Sequence, residues 1–343
     1  MITSWNVRGL NKAGKFREIS SRLHNLNPAI MILIETRVKE KNADMIRNKM
    51  KLKGSYLDNY DKHANGRIWI CWDDNRRHIE LIDSTDQFIH CKIRDDKGDF
   101  KYWMNVVYAH NQLQLRKKLW QDILKIHSNQ QGLWMVIGDF NNVAKVDDRI
   151  GGSMVTEKEY VDLIDMMNQT GLYEKESQGD YFTWTNKQKA NAIYSRIDCL
   201  LGNTEWMQQN EDAELIVMSP SVSDHSMLAL STPDPIPQKR SKFKFLNYTS
   251  DLNDFTETVK LNWNLPLNGR PMYVVWKKLQ RLQPDLKKLT KPRSDITREI
   301  AQARVDLATA QDELLTDKMN GEKIVKVQTC TAALIQWQEL KVV

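Results

Sequence analysis

Short apolar runs recur along the first two thirds of the chain, and most stop on a polar residue. Ile2–Trp5 ends in Asn6, and Ala29–Ile34 ends in Glu35. Runs of this length, bounded by turn residues, are the pattern of buried strands. Arg67–Trp72, Ile79–Ile82, Phe88–Ile93 and Tyr102–Tyr108 read as further strands, and Leu133–Ile137 as one that stops at Gly138-Asp139. Leu115, Leu119, Ile123 and Ile126 stand at helical spacing, which predicts a helix over Leu113–Ile126. Thr156 followed by Glu159 is a capping-box pair and predicts a helix to Met167. Tyr181–Trp184, Ile193–Leu201, Glu214–Val217 and Met227–Leu230 are the last predicted strands. Strands joined here by turns and there by helices make a mixed α/β domain with more than one sheet.

The pattern changes at Thr232-Pro233-Asp234-Pro235-Ile236-Pro237, where alternating prolines can continue neither helix nor central strand. Beyond it glycine is scarce and helix formers dominate. Ile296, Ile300, Ala303, Leu307, Ala310 and Leu314 follow a heptad seam, which fits an intramolecular helical hairpin as well as a dimeric coiled coil. The chain therefore divides into a domain over residues 1–232, a Pro-rich linker over 233–240 and a basic helical extension over 241–343. At 343 residues it is long enough for one large core and more.

Composition adds less. No apolar run is long enough to span a bilayer, and the first residues lack a signal peptide's basic start and apolar stretch, so no membrane is expected and the location is expected to be intracellular. Four scattered cysteines with no close pair argue for reduced thiols and against a zinc site. The net charge of +6 is carried by the extension, the rest being close to neutral. Cations mixed with aromatics at Lys239–Phe245 are compatible with nucleic-acid binding, although a basic linker packed on the domain explains them slightly better.

Chemistry-bearing residues cluster where strands end, and loops at strand ends are where sites are usually built. In order these are Asn6 and Arg8, Glu35, Tyr108, Asp139 and Asn141, Arg196 and Asp198, then Asp224 and His225. Glu35 is a hard oxygen ligand suited to Mg²⁺. Asp139 and Asn141, two apart, could activate and orient a water. Asp198 could hold His225 protonated, and an imidazolium could stabilise a phosphorane-like transition state. Together they describe metal-assisted hydrolysis of a phosphate ester. Each cluster alone has an ordinary explanation: an Asx turn at Asp139-Asn141, a packed strand aromatic at Tyr108, a satisfied histidine at 225. The ensemble, in one order at successive strand ends, is what points to a site.

That ensemble resembles the endonuclease/exonuclease/phosphatase superfamily over about residues 1–232. The resemblance implies a four-layer α/β sandwich, two mixed sheets flanked by helices, with the site at one edge. It implies that Asn6, Tyr108, Asp139, Asn141, Asp198 and His225 are catalytic, that Glu35 and Asp224 are linked to the metal, and that the cofactor is Mg²⁺, with Mn²⁺ as a substitute. Trp5–Asn11, and Tyr181–Thr185 ahead of Arg196–Leu201, are similar to plant-type LINE retrotransposon endonucleases, which places Thr183 near the DNA backbone, with Arg8 and Arg196 as further DNA contacts. Phe243–Phe255 and Lys277–Leu289 look like the segment that precedes the reverse transcriptase in such elements, and no polymerase Asp-Asp motif follows, so a fragment is expected. The implied activity is DNA nicking, and the implied location is nuclear.

Arg8 departs from the pattern, because abasic-site endonucleases carry a metal carboxylate there; this argues against that subfamily and for weaker metal binding. Ala109-His110 also replace a Gly-Pro common after the tyrosine. With the first strand at the very start of the sequence, fraying beside Asn6 is expected. Two alternatives stand beside the endonuclease: a catalytically silent nucleic-acid-binding remnant, and a small-molecule phosphatase or phosphodiesterase of the same superfamily.

Overall fold

A computed structural model describes residues 1–51, 54–63, 67–231, 254–266 and 271–340. The proposed linker and the basic cluster at Lys239–Phe245 lie outside them. The strands are β1 Ile2–Asn6, β2 Ile30–Ile34, β3 Tyr56–Asp58, β4 Ile68–Trp72, β5 Arg77–Ser84, β6 Phe88–Asp95, β7 Phe100–Tyr108, β8 Trp134–Asp139, β9 Arg149–Ile150, β10 Leu172–Glu174, β11 Ser177–Gly179, β12 Trp184–Thr185, β13 Tyr194–Ser195, β14 Asp198–Asn203, β15 Glu214–Met218 and β16 Met227–Ser231. The helices are α1 Ala13–Leu26, α2 Glu40–Met50, α3 Leu113–Asn129, α4 Glu157–Thr170, α5 Thr204–Gln209, α6 Phe255–Trp263, α7 Pro271–Thr316 and α8 Gly321–Leu340.

Two large mixed sheets carry the fold, ordered β11-β15-β16-β1-β2-β4-β3 and β10-β14-β8-β7-β6-β5. The alternation of side chains along each strand explains why the sequence shows unbroken apolar runs. Ile30, Ile32 and Ile34 of β2 face Ile89, Ile93, Val106 and Ile137 of the other sheet in the central core. Met31 and Leu33, between them, pack outward with Trp5 and Trp69 against Ile19 and Leu23 of α1 and Met50 of α2. On the far side Val107, Val136 and Leu201 meet Leu119 and Ile123 of α3 and Leu163 and Met166 of α4. The order helix, sheet, sheet, helix is the expected four-layer sandwich.

Several expectations change. β1 is an inner strand, with Ile2 registered to Leu230 on one side and Ile30 on the other. The strand expected over Ile193–Leu201 breaks at Arg196-Ile197 into β13 and β14, and of the Tyr181–Trp184 segment only Trp184 is strand, the first residue of β12. Helix α1 was not among the expected elements: Phe16, Ile19, Leu23 and Leu26 stand at helical spacing, but polar neighbours dilute it. Thr156 donates its backbone N–H to Glu159 Oε1 at 3.0 Å, as the capping pair predicted. All four cysteines are free thiols, with Cys71 and Cys91 buried.

The heptad seam closes within the chain. Ile300, Ala303, Leu307 and Ala310 of α7 are buried in one cluster with Val327 and Leu334 of α8 and with Leu23 of α1. Arg304 reaches Glu18 of α1 at 2.8 Å, and Gln338 Nε2 donates to Glu18 Oε2 at 2.7 Å. A Cβ on Gly14 of α1 would lie 2.4 Å from the backbone oxygen of Ile335. Gly14→Ala should therefore destabilise the fold by about 1–3 kcal/mol through overpacking, although the same change at an exposed helical position would gain up to about 1 kcal/mol. The denaturant midpoint reads this directly, and an unchanged or raised midpoint would contradict the close docking of α8. No described helix is long and apolar enough to cross a membrane.

Candidate active site

The sheets bring the polar strand ends together by register. In the second sheet Tyr108 of β7 pairs with Asp139 of β8, and Asp139 pairs with Asp198 of β14. Directly paired residues project from the same face, so the three form one row. In the first sheet Asn6 pairs with Ile34, which puts Asn6 beside Glu35 at the ends of β1 and β2. Asn6 links the two sheets: its Nδ2 donates to Asp139 Oδ2 at 2.8 Å and to Glu35 Oε2 at 3.2 Å.

The β8 strand end depends on a close backbone approach. Gly138 has φ +147°, and a Cβ there would meet the Val107 carbonyl oxygen at 2.1 Å. Three residues on, the Asn141 N–H donates to Asp139 Oδ1 at 2.9 Å, while its side chain donates to Ala109 O at 2.7 Å. The Asx turn that would have been the ordinary explanation of this pair is thus present, and it fixes the rotamer of Asp139. Arg116, buried, holds the turn through the Asn141 carbonyl at 2.7 Å.

His225 follows a short turn. The Ser223 hydroxyl donates to the Asn6 carbonyl at 2.8 Å, and the Trp5 indole donates to the His225 carbonyl at 2.9 Å. His225 Nδ1 meets Asp198 Oδ2 at 2.9 Å and lies 4.0 Å from Asp139 Oδ2. With Nδ1 engaged, Nε2 is the nitrogen left for the cleft. Asp139, Asp198 and His225 are all buried, and their ligand atoms lie within 4.8 Å of one another, so this group could also hold a cation.

Burial raises the Asp139 carboxyl to about 7, with the neighbouring Asp198 charge pushing the same way against His225 and Asn6. Burial opposes charge on His225, but Asp198 and then Asp139 overcome it and raise the imidazolium to about 9. Burial, then Glu35 and Asp139, push the Tyr108 phenol up, so it stays a hydrogen-bond donor. Burial opposes charge on Asp224, yet His225 and Arg8 hold its carboxyl below the ordinary range.

Asp224 is paired with Arg8 and accepts from the Trp184 indole at 3.2 Å. Glu35 is paired with Arg37, whose Nε donates to it at 2.8 Å. A cleft of about 370 Å³ opens over these groups, lined by Arg8, Glu35, Arg37, Asp139, Asn141, Arg149 and His225 among others. Two of the residues expected to contact DNA, Thr183 and Arg196, are buried. Thr183 is buried, and its hydroxyl accepts the N–H groups of Ile197 and Asp198 at 3.1 and 2.9 Å, which fixes Asp198 from behind. Arg196 is buried on Glu174 at 2.6 Å and donates to the Tyr181 carbonyl at 2.9 Å. Both were read from their place in a motif, which does not tell inward from outward. Arg37, Trp184 and Ser223 were missed. Arg37 carried a signal, a cation two residues after the candidate metal ligand, whereas Ser223 acts only through a register set by tertiary structure.

A profile of the endonuclease/exonuclease/phosphatase family matches residues 3–225. No curated protein matches the chain. Among solved structures, the endonuclease domain of TRAS1, a telomere-specific non-LTR retrotransposon, superposes with a TM-score of 0.51 at 12% identity over 68% of this chain and 97% of that one. The 3′ phosphatase NExo from Neisseria, bound to product DNA hairpin, gives 0.51 at 17% over 67% and 98%. An AP endonuclease from Archaeoglobus fulgidus gives 0.51 at 13% over 68% and 98%. At these identities the likeness is one of fold.

Proposed function

The chain belongs to the endonuclease/exonuclease/phosphatase family, and on that premise we propose that it is a Mg²⁺-dependent endonuclease that nicks DNA, as the target-nicking domain of a LINE-type element would. The observation that carries this is the registered row Tyr108, Asp139 and Asp198, closed by His225 and bridged through Asn6 to Glu35. The fit to a divalent ion rests on the counter-ions of the two outer carboxylates. Guanidinium groups of Arg37 and Arg8 sit on Glu35 and Asp224, where they stand in for positive charge. Glu35 and Asp224 would hold the ion. When bound, it supplies positive charge to the phosphate oxygens of the reacting ester.

The chain's own groups do the rest. The Asp139 carboxylate takes a proton from the attacking water, with the Asn141 N–H fixing its orientation. The imidazolium of His225, kept charged by Asp198, donates to a non-bridging phosphate oxygen where negative charge grows. Tyr108 stays protonated as a second donor. Attack at phosphorus breaks the bond to the 3′ oxygen, which takes a proton from solvent, and leaves a 3′-hydroxyl and a 5′-phosphate. Arg8, Arg37 and Arg149 line the cleft and suit a polyanionic strand.

The nature of the ends tests the reading. Nicked plasmid should be extended by a DNA polymerase without prior phosphatase treatment, because the 3′ end is a hydroxyl. Release of inorganic phosphate with no strand break would favour a phosphatase instead. The pH profile follows from the two shifted groups. Asp139 must be ionised, so kcat/KM should rise through about 7. His225 must be protonated, so kcat/KM should fall through about 9. Steady-state nicking from pH 5 to 10 checks both limbs, and a monotonic profile would refute the paired roles.

A further inference from the structure

We propose that Arg8 and Arg37 are exchangeable counter-ions, which hold the metal-binding carboxylates until DNA arrives and then move to its phosphates, so that metal and DNA binding are coupled. The inference rests on the endonuclease reading above. Its basis is the pairing itself: Arg8 sits on Asp224 and Arg37 on Glu35, one arginine for each outer carboxylate. The ion pairs are lopsided in exposure. The arginine side chains are 45% and 53% exposed, against 11% and 14% for their carboxylates. The cation can leave for a ligand in the cleft while the carboxylate stays fixed.

The backbone supports this division. Glu35 accepts a hydrogen bond at its carbonyl from Gly9 at 2.8 Å and donates its N–H to Arg67 O at 2.6 Å, so its position is tied down. Arg8, Glu35 and Arg37 all have φ near +50°, a region that non-glycine residues rarely occupy. Both arginines line the cleft. The other arginine lining the cleft, Arg149, differs: it is held by Glu159 at 2.9 Å and touches neither outer carboxylate. Arg8, which stands where a carboxylate would have added to the metal site, thus takes a different task, as a cation that is released when phosphate is offered.

Calorimetric titration of Mg²⁺ into the full chain, without DNA, tests the first half. Arg8→Ala and Arg37→Ala should each tighten Mg²⁺ binding by roughly two- to fivefold, the scale of a half-exposed ion pair. Arg149→Ala removes the same charge from the same cleft and should leave the affinity within error, which separates release of a carboxylate from a change of field. Binding of a 20-base-pair duplex in EDTA tests the second half, and both Arg8→Ala and Arg37→Ala should weaken it. Unchanged or weaker Mg²⁺ binding in both variants, or a gain of equal size in Arg149→Ala, would overturn the proposal. If wild-type protein nicks plasmid while the affinities do not move, the exchange fails and the endonuclease reading stands. No Mg²⁺ binding in any of the proteins would overturn both.

Discussion

Asp139→Asn is expected to lower Mg²⁺-dependent nicking by at least about a thousandfold, within the range of a lost general base. Asparagine keeps the shape and can still accept from the Asn141 N–H, but it cannot take a proton. The reason for a large effect lies in the neighbours. Asp139 is buried, and Asn6, Asn141 and His225 all converge on it, so no solvent water or exposed carboxylate can replace it. Duplex binding should persist, because the cations that line the cleft are untouched. A variant that nicked within tenfold of wild type would move the base elsewhere.

His225→Ala should cost about a hundred- to a thousandfold at pH 7.5, the scale of a lost donor at a site of developing charge. It should also change the shape of the pH profile. Without the imidazolium, Asp139 and Asp198 are two buried carboxylates with one less compensating charge, and the Asp139 carboxyl moves further up. The rising limb should shift to higher pH and the limb near 9 should vanish. Loss of a buried partner also destabilises, by about 3–5 kcal/mol in buried ion pairs, so circular dichroism must accompany the assay. A loss of rate with both limbs unmoved would separate His225 from Asp139 and contradict their coupling.

Much of this was legible in the sequence for a simple reason. Strands buried on both faces write themselves as unbroken apolar runs, and a site built at strand ends puts its polar residues where those runs stop. Asn6, Glu35, Tyr108 and Asp139 are placed in this way, whereas Asp198 opens β14 and His225 precedes β16. Motif position does not tell direction, which is why Thr183 and Arg196 were expected at DNA and instead brace Asp198 and the Tyr181 loop. The periodic seam of α7 was plain, but its partner was not. Periodicity says that a face is apolar, and only the packing shows that α1 and α8 cover it. The pairing of Arg8 with Asp224 was the least legible, because it joins loops far apart in sequence, whereas Arg37 stands two residues from its partner Glu35.

The central claim is that the row around Asp139 cuts DNA with a divalent ion. Supercoiled plasmid incubated with wild-type protein in Mg²⁺, with wild type in EDTA and with Asp139→Asn in Mg²⁺ tests it most directly. Open-circle product in the first reaction alone is the predicted result. Equal nicking in all three, or none in the first while the protein still binds duplex, would contradict it.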